Sequence, residues 1–303
     1  MNDKAITIPN KLPLLEGLGW NIHNPYTLTP RQMLAIYEER WHYLDVLGKP
    51  SQEEIGFIKE ITRIYQGLPL IETNNIDKEE FFLLIDLALG QLNIDLLIEH
   101  QVCLGGGALI GLKYQALRCS SNVDFLVNPQ NCQQLKYAIR QGKTVLFKSK
   151  NLEIGEPRAD RYGIRYPIIV RQGKREVKFK LEIIADNFLS IGKPELYKNI
   201  PCLNLEDLAT AKLLVLSDRW QDCHKFSCDL IDLAIVCWAE KKLPAIAIDR
   251  ANSIHPYATK LLSQAIKQFQ ASPDYRASCY KALQVSKTEA IASGLDRLAH
   301  LSN

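Results

Sequence analysis

Long apolar runs are missing from this 303-residue chain. No stretch approaches the ~20 uninterrupted apolar residues that a membrane span requires, and the opening MNDKAITIPNKLP lacks the apolar segment of a secretory signal. The expected location is therefore the cytoplasm, with no membrane partner. The eight cysteines (103, 119, 132, 202, 223, 228, 237 and 279) are scattered, as expected of reduced thiols. Only Cys223, His224 and Cys228 cluster; they lack a fourth zinc ligand and read as ordinary helix residues. A dinucleotide fingerprint is also lacking, because position 110 is Ile where G-x-G-x-x-G needs its last glycine, and no Gly-Lys-Ser/Thr follows to make a P-loop. There is no internal repeat and no low-complexity tract. With 47% hydrophobic and 23% charged residues the chain is an ordinary globular one, long enough for about two domains.

Charge is unevenly distributed. The net +3 conceals a first hundred residues with 8 basic and 15 acidic side chains, and a segment from 140 to 180 with 12 basic against 4 acidic. In the latter, Arg158, Arg161, Arg165, Arg171, Lys174, Arg175, Lys178 and Lys180 form either a candidate polyanion surface or a solvated hairpin.

Three helices are expected in the acidic third. One starts at Thr29, with Pro30 in its first turn and Met33, Ile36, Tyr37, Trp41 and Leu44 on one face. A second starts at Ser51, with Glu54 at capping-box spacing, and a third runs from Asp77 through DKEEFFLLIDLALGQLNIDLLIEH. At Val102 the texture changes: VCLGGGALIGL passes from a short apolar run through three glycines into a helix, and NVDFLV from Asn122 reads as a strand. The segment RYPIIVRQGKREVKFKLEIIA reads as a hairpin about a Gly-Lys turn. Helices resume after Pro201.

Strand period two places Asn122 and Asp124 on one face of the first strand. In EVKFKLEI it buries Val177, Phe179, Leu181 and Ile183, leaving Glu182 on the wet face. If the two strands are neighbours, Asp124 and Glu182 converge with Asn122 beside the Gly105-Gly106-Gly107 turn. Glycine-turn N–H groups can cradle phosphate oxygens and paired carboxylates can hold Mg²⁺, which is a phosphoryl-transfer arrangement.

LGGGALIGLKYQALRCSSNVDFLV resembles the signature of polymerase-β-type nucleotidyltransferases. More narrowly, GGGAL followed by Arg118-x-Ser120-x-Asn122-Val123-Asp124 is similar to the GGTAL and R-x-S-x-D-h-D pattern of the AbiEii/AbiGii-type nucleotidyltransferase family, many of whose members are toxins of toxin-antitoxin systems. LNLEDLATAKLLVLSDRW and CDLIDL, with Lys212, Arg219, Asp229 and Asp232, look like its helical stretch. The resemblance implies an α+β fold: a small mixed β-sheet nucleotidyltransferase core (78–200) flanked by helices, with a helical N-terminal extension (1–77) and a helical C-terminal domain (201–303). It implies transfer of a nucleoside monophosphate from a nucleoside triphosphate to an acceptor hydroxyl, with RNA or tRNA as a candidate acceptor and an antitoxin protein as a candidate partner. Gly105, Gly106, Ser120 and Arg118 would meet the nucleotide, Asp124, Glu182 and Asn122 the Mg²⁺, and Lys212 the nucleotide or acceptor.

The chain departs from the family pattern. Asn122 stands where the first metal-binding aspartate belongs, Gly107 where Thr or Ser is common, and Cys228 where a Lys often precedes the Asp-x-x-Asp. An amide ligates Mg²⁺ without negative charge and is no base, so a weakened enzyme is expected, or a lapsed one that keeps the fold to bind nucleotide, RNA or a partner.

Overall fold

The computed structural model describes residues 6–40, 47, 50–65, 78–120, 122–142, 145–148, 152–173, 175–222 and 225–301. Trp41 and Leu44 of the first expected helix, Cys223 and His224 of the cysteine-histidine cluster, and Lys174 of the basic segment lie outside the described residues. Buried apolar side chains from Leu12 to Leu298 form one continuous cluster.

The N-terminal helices are α1 (Pro13–Leu18), α2 (Pro30–Arg40) and α3 (Gln52–Tyr65). Two capping boxes were available to them, and only one closes. At Thr29, the hydroxyl accepts from the Gln32 N–H at 3.3 Å and the Gln32 side chain accepts from the Thr29 N–H at 2.9 Å. At Ser51 the hydroxyl accepts from the Glu54 N–H at 3.1 Å, but the Glu54 carboxylate does not return. It is fully buried and accepts from the N–H groups of Leu14 (3.0 Å) and Leu15 (2.8 Å) and from the Tyr37 hydroxyl (2.7 Å). Two otherwise unpaired donors of α1 outcompete a local cap, because a buried N–H without a partner costs more than an exposed one.

The single helix expected from Asp77 is two: α4 (Lys78–Leu89) and α5 (Ile94–Glu99). Gly90 ends the first. Leu92 then makes a bridge to Phe147, and the Asn93 N–H bonds Leu146 O at 2.8 Å, so tertiary contacts take the backbone donors that helix would have used.

Among the described residues eight strands follow: β1 (Cys103–Gly105), β2 (Asn122–Val127), β3 (Glu153–Ile154), β4 (Arg158–Asp160), β5 (Gly163–Gln172), β6 (Arg175–Ala185), β7 (Glu195–Tyr197) and β8 (Ile200–Cys202). Helix α6 (Gly106–Lys113) lies between β1 and β2, and α7 (Pro129–Arg140) follows β2. The sheet is mixed, in the order β3-β5-β6-β2-β1-β8-β7 with β4 on β5, and both β2–β6 and β1–β8 are parallel. The expected hairpin is β5–β6, joined with Gln172 opposite Arg175. The β7–β8 pair was not expected, since three-residue strands carry too little periodicity to be read. Helices α8 (Leu205–Arg219), α9 (Cys228–Glu240), α10 (Ala245–Ile254), α11 (Ala258–Ala271), α12 (Pro273–Ala282) and α13 (Thr288–Leu301) complete the chain. The fold is α+β, and among the described residues no helix is long and apolar enough to cross a membrane.

Alternation along β2 and β6 separates a buried face from a partly exposed polar one. Val123, Phe125 and Val127 are buried with Val177, Phe179, Leu181 and Ile183. The other face carries Asn122, Asp124, Lys180 and Glu182, all partly buried.

Candidate active site

Parallel pairing of β2 with β6 sets Asn122 opposite Lys180 and Asp124 opposite Glu182, while antiparallel β1 sets Gly105 opposite Asp124 from the other side. The two carboxylates and the glycine turn are thus side by side on one face. Gly106 opens α6 with φ +65°, and a Cβ there would stand 2.6 Å from Asp124 Oδ2. Glycine is required twice over, for the left-handed backbone and for the close approach. Gly106→Ala is expected to lower stability by roughly 1–3 kcal/mol and to displace Asp124, the stability loss being read by urea denaturation.

Burial, and after it the Glu182 charge, raises the Asp124 carboxyl to about 6, against the opposing pull of Lys212, Lys180 and Arg219. Glu182 itself is well partnered: it accepts from Asn122 Nδ2 at 3.0 Å and from Arg165 Nε at 2.9 Å, with Lys180 Nζ at 3.5 Å. A carboxylate only accepts, so the Asn122 amide must turn its nitrogen toward Glu182. The Asp124 carboxylate accepts no hydrogen bond among the described residues.

Behind the turn lies a charged layer in the protein interior. Arg118 bonds Asp232 through Nε (2.6 Å) and Nη2 (2.5 Å) and Cys119 O through Nη1 (2.5 Å). Lys212 Nζ bridges Asp229 (2.9 Å) and Asp232 (2.7 Å), and Arg219 Nε bonds Asp229 at 2.7 Å. Arg118, Lys212, Asp229 and Asp232 are buried, whereas the Arg219 side chain is 37% exposed. Although burial pushes it up, Lys212 and Arg219 together hold the Asp229 carboxyl well below the usual range. Burial followed by Asp229 pushes the Cys228 thiol up to about 11. Asp229 and Asp232 are therefore neither solvated nor on an exposed helix face.

Two expected phosphate contacts are differently engaged. Arg118 faces inward, its guanidinium filling the place where a Gly107 Cβ would come within 2.3 Å of Nη2; a Thr at 107 could not coexist with this placement. Ser120 is buried and donates to Asn122 O at 3.1 Å, at the start of β2. The Cys119 N–H to Leu283 O and Ser286 N–H to Leu117 O bonds tie this loop to the C-terminal helices.

Sequence reasoning missed Arg165 as the partner of Glu182. The signal existed: counting back from the Gln172–Arg175 pair at the hairpin turn puts Arg165 opposite Glu182. The candidate polyanion surface is largely ion-paired. Arg158 meets Glu38, Arg165 meets Asp160 and Glu182, and Arg171 meets Glu153 and Glu176. Lys178 also meets Glu176, and Arg161 stacks on the Tyr162 ring.

A family profile described as Nucleotidyl transferase AbiEii toxin, Type IV TA system, matches residues 88–281, well over half of the chain. The chain belongs to the AbiEii family. Its members are nucleotidyltransferase toxins of type IV toxin-antitoxin systems, and the match spans the glycine turn, both carboxylate-bearing strands and the α8–α9 charge layer. No curated protein sequence matches the chain. Two Helicobacter pylori crystal structures, the second of JHP933, are each 18% identical to it, with TM-scores of 0.43 and 0.42. They cover 73% and 76% of this chain and 92% and 93% of their own. MenT4, a nucleotidyltransferase toxin from Mycobacterium tuberculosis H37Rv, is 14% identical with a TM-score of 0.41, covering 75% of this chain and 86% of its own.

Among the described residues no group of three or more His, Cys, Asp or Glu side chains could hold a metal ion. The AbiEii-type site here offers two carboxylates and an amide. In kind they suit one divalent ion, with Asp124 opposite Glu182 in the next strand, but Glu182 would first have to give up hydrogen bonds and the Asn122 oxygen would join only if its amide turned; Mg²⁺ retains several waters in any case.

Proposed function

We propose that this AbiEii-family chain moves a nucleoside monophosphate from a nucleoside triphosphate to an acceptor hydroxyl on RNA, with a tRNA end as the acceptor and an antitoxin protein as its partner. One observation carries the reading: Asp124 lies between Glu182 and Gly105 in adjacent strands, at the start of a helix.

Gly105, Gly106 and the first N–H groups of α6 cradle the phosphates, where the helix dipole favours anions. Asp124 and Glu182 would hold Mg²⁺, with the Asn122 oxygen joining only if its amide turns. When bound, Mg²⁺ offsets charge on the triphosphate and on the leaving pyrophosphate. Arg219, the most exposed cation of the charged layer, reaches the phosphates. Lys212 stays between Asp229 and Asp232, and with Lys180 and Arg219 its charge favours the ionised form of Asp124 against burial. Arg118 and Ser120 hold the loop that presents β2. The proton of the acceptor hydroxyl passes to an oxygen of Asp124 or Glu182, since Asn122 cannot take it.

A second reading, a lapsed enzyme that binds nucleotide, RNA or a partner protein, is favoured by the Asn122–Glu182 bond, which occupies a ligand oxygen. Incubation with Mg²⁺, each labelled triphosphate and RNA separates the two. Label on RNA is expected from the native chain, and Asn122→Asp, which supplies a third carboxylate, is expected to raise the rate severalfold. A silent native protein that still binds nucleotide, together with activity created by Asn122→Asp, would establish the lapsed reading.

A further inference from the structure

Glu182 accepts two hydrogen bonds, from Asn122 Nδ2 (3.0 Å) and Arg165 Nε (2.9 Å), and is ion-paired with the Lys180 ammonium at 3.5 Å. Two of these partners are cations. A divalent ion approaching Glu182 therefore has to displace hydrogen bonds and enter against positive charge, whereas the partly buried Asp124 carboxylate next door holds no hydrogen bond among the described residues.

Of the three partners, Arg165 is the one built to move between anions. Its Nη1 is anchored at 2.6 Å on Asp160 Oδ2, and Asp160 is itself fixed at the β4–β5 turn, where Oδ1 accepts from the N–H groups of Tyr162 (2.8 Å) and Gly163 (3.2 Å). The side chain is 34% exposed, and the bonds to Glu182 and Asp160 use two of its five N–H donors. Guanidinium binds phosphate oxygens with the same forked geometry that it uses for carboxylates.

We propose that Arg165, helped by Asn122, latches Glu182 in the nucleotide-free protein, and that it exchanges Glu182 for a phosphate oxygen when the triphosphate arrives. The divalent ion then enters with the nucleotide and not ahead of it. Arg165 is both a brake on metal binding and a positioning residue for the phosphates. This rests on the assignment of the Asp124–Glu182 pair as the metal and nucleotide site.

The test uses the full chain and Mn²⁺ alone, followed by loss of the free-ion electron paramagnetic resonance signal, and then a non-hydrolysable triphosphate followed by calorimetry. Without nucleotide, Arg165→Ala is expected to bind Mn²⁺ at least tenfold more tightly than the native protein, and Asn122→Ala severalfold more tightly. In the nucleotide titration the order reverses, with Arg165→Ala binding the triphosphate at least tenfold more weakly. Arg165→Lys, which keeps charge but not the fork, is expected to fall between. Equal Mn²⁺ affinity in the native chain and in both alanine variants, each still melting cooperatively, overturns the latch and leaves the site assignment standing. If Arg165→Ala does not fold, Asn122→Ala decides alone. Absence of both Mn²⁺ and triphosphate binding in every protein overturns the site assignment and the latch together.

Discussion

Asp124→Asn is expected to abolish nucleotidyl transfer, by about a thousandfold or more, while making the metal-free protein more stable at neutral pH. The first effect follows from removing the one open carboxylate beside the glycine turn, where several kcal/mol of charge stabilisation are concentrated in such sites. The second follows from the same burial. Burial and the neighbouring Glu182 raise the Asp124 carboxyl from 3.8 to about 6 in the folded state, so the ionised form opposes folding. The penalty is absent below pH 4, grows between pH 4 and 6, and is complete above pH 6. Guanidinium unfolding in EDTA is therefore expected to show Asp124→Asn gaining roughly 1–3 kcal/mol over the native chain at pH 8 and nothing at pH 4. A variant that keeps activity, or that is destabilised equally at both pH values, contradicts this account. Stability traded for function at a single carboxylate separates a working site from an ordinary surface acid.

Asp232→Ala is the change expected to damage the fold most. Asp232 is completely buried and accepts from Arg118 twice and from Lys212 once. Its removal leaves two buried cations with fewer partners than charges, a situation that costs about 3–5 kcal/mol. The loss also frees the Arg118 loop, through which Ser120 and β2 are held. Arg118→Met combined with Asp232→Leu is expected to be less destabilised than Asp232→Ala alone, because no unmatched guanidinium remains, and a denaturant series on both reads the difference. Acid acts on the same layer. With the Asp229 carboxyl held below its ordinary 3.8 by Lys212 and Arg219, the stability it contributes is present above about pH 4 and is lost as pH falls below that value.

The chain's local pattern was enough for most of its elements. The alternation of Val177, Phe179, Leu181 and Ile183 with charged residues determined a strand and its wet face, and the Gly173 turn set the hairpin register. Three glycines before an apolar run marked the turn into α6. The order of GGGAL, Arg118, Ser120, Asn122 and Asp124 was enough to point to the family. These features are local: each depends on side-chain period or on backbone freedom within a few residues.

What only the tertiary structure decided is who meets whom. Asn122 and Glu182 lie 60 positions apart, and their strands pair in parallel without a turn to set the register, so adjacency came from burying two apolar faces in one core. The fates of Glu54 and Arg118 are alike in kind. One left its capping box for the buried donors of α1, and the other turned from the cleft to Asp232, because a charged group inside a protein takes the partner that burial makes unavoidable. A sequence states which residues are charged; only packing determines which of those charges remain free to act.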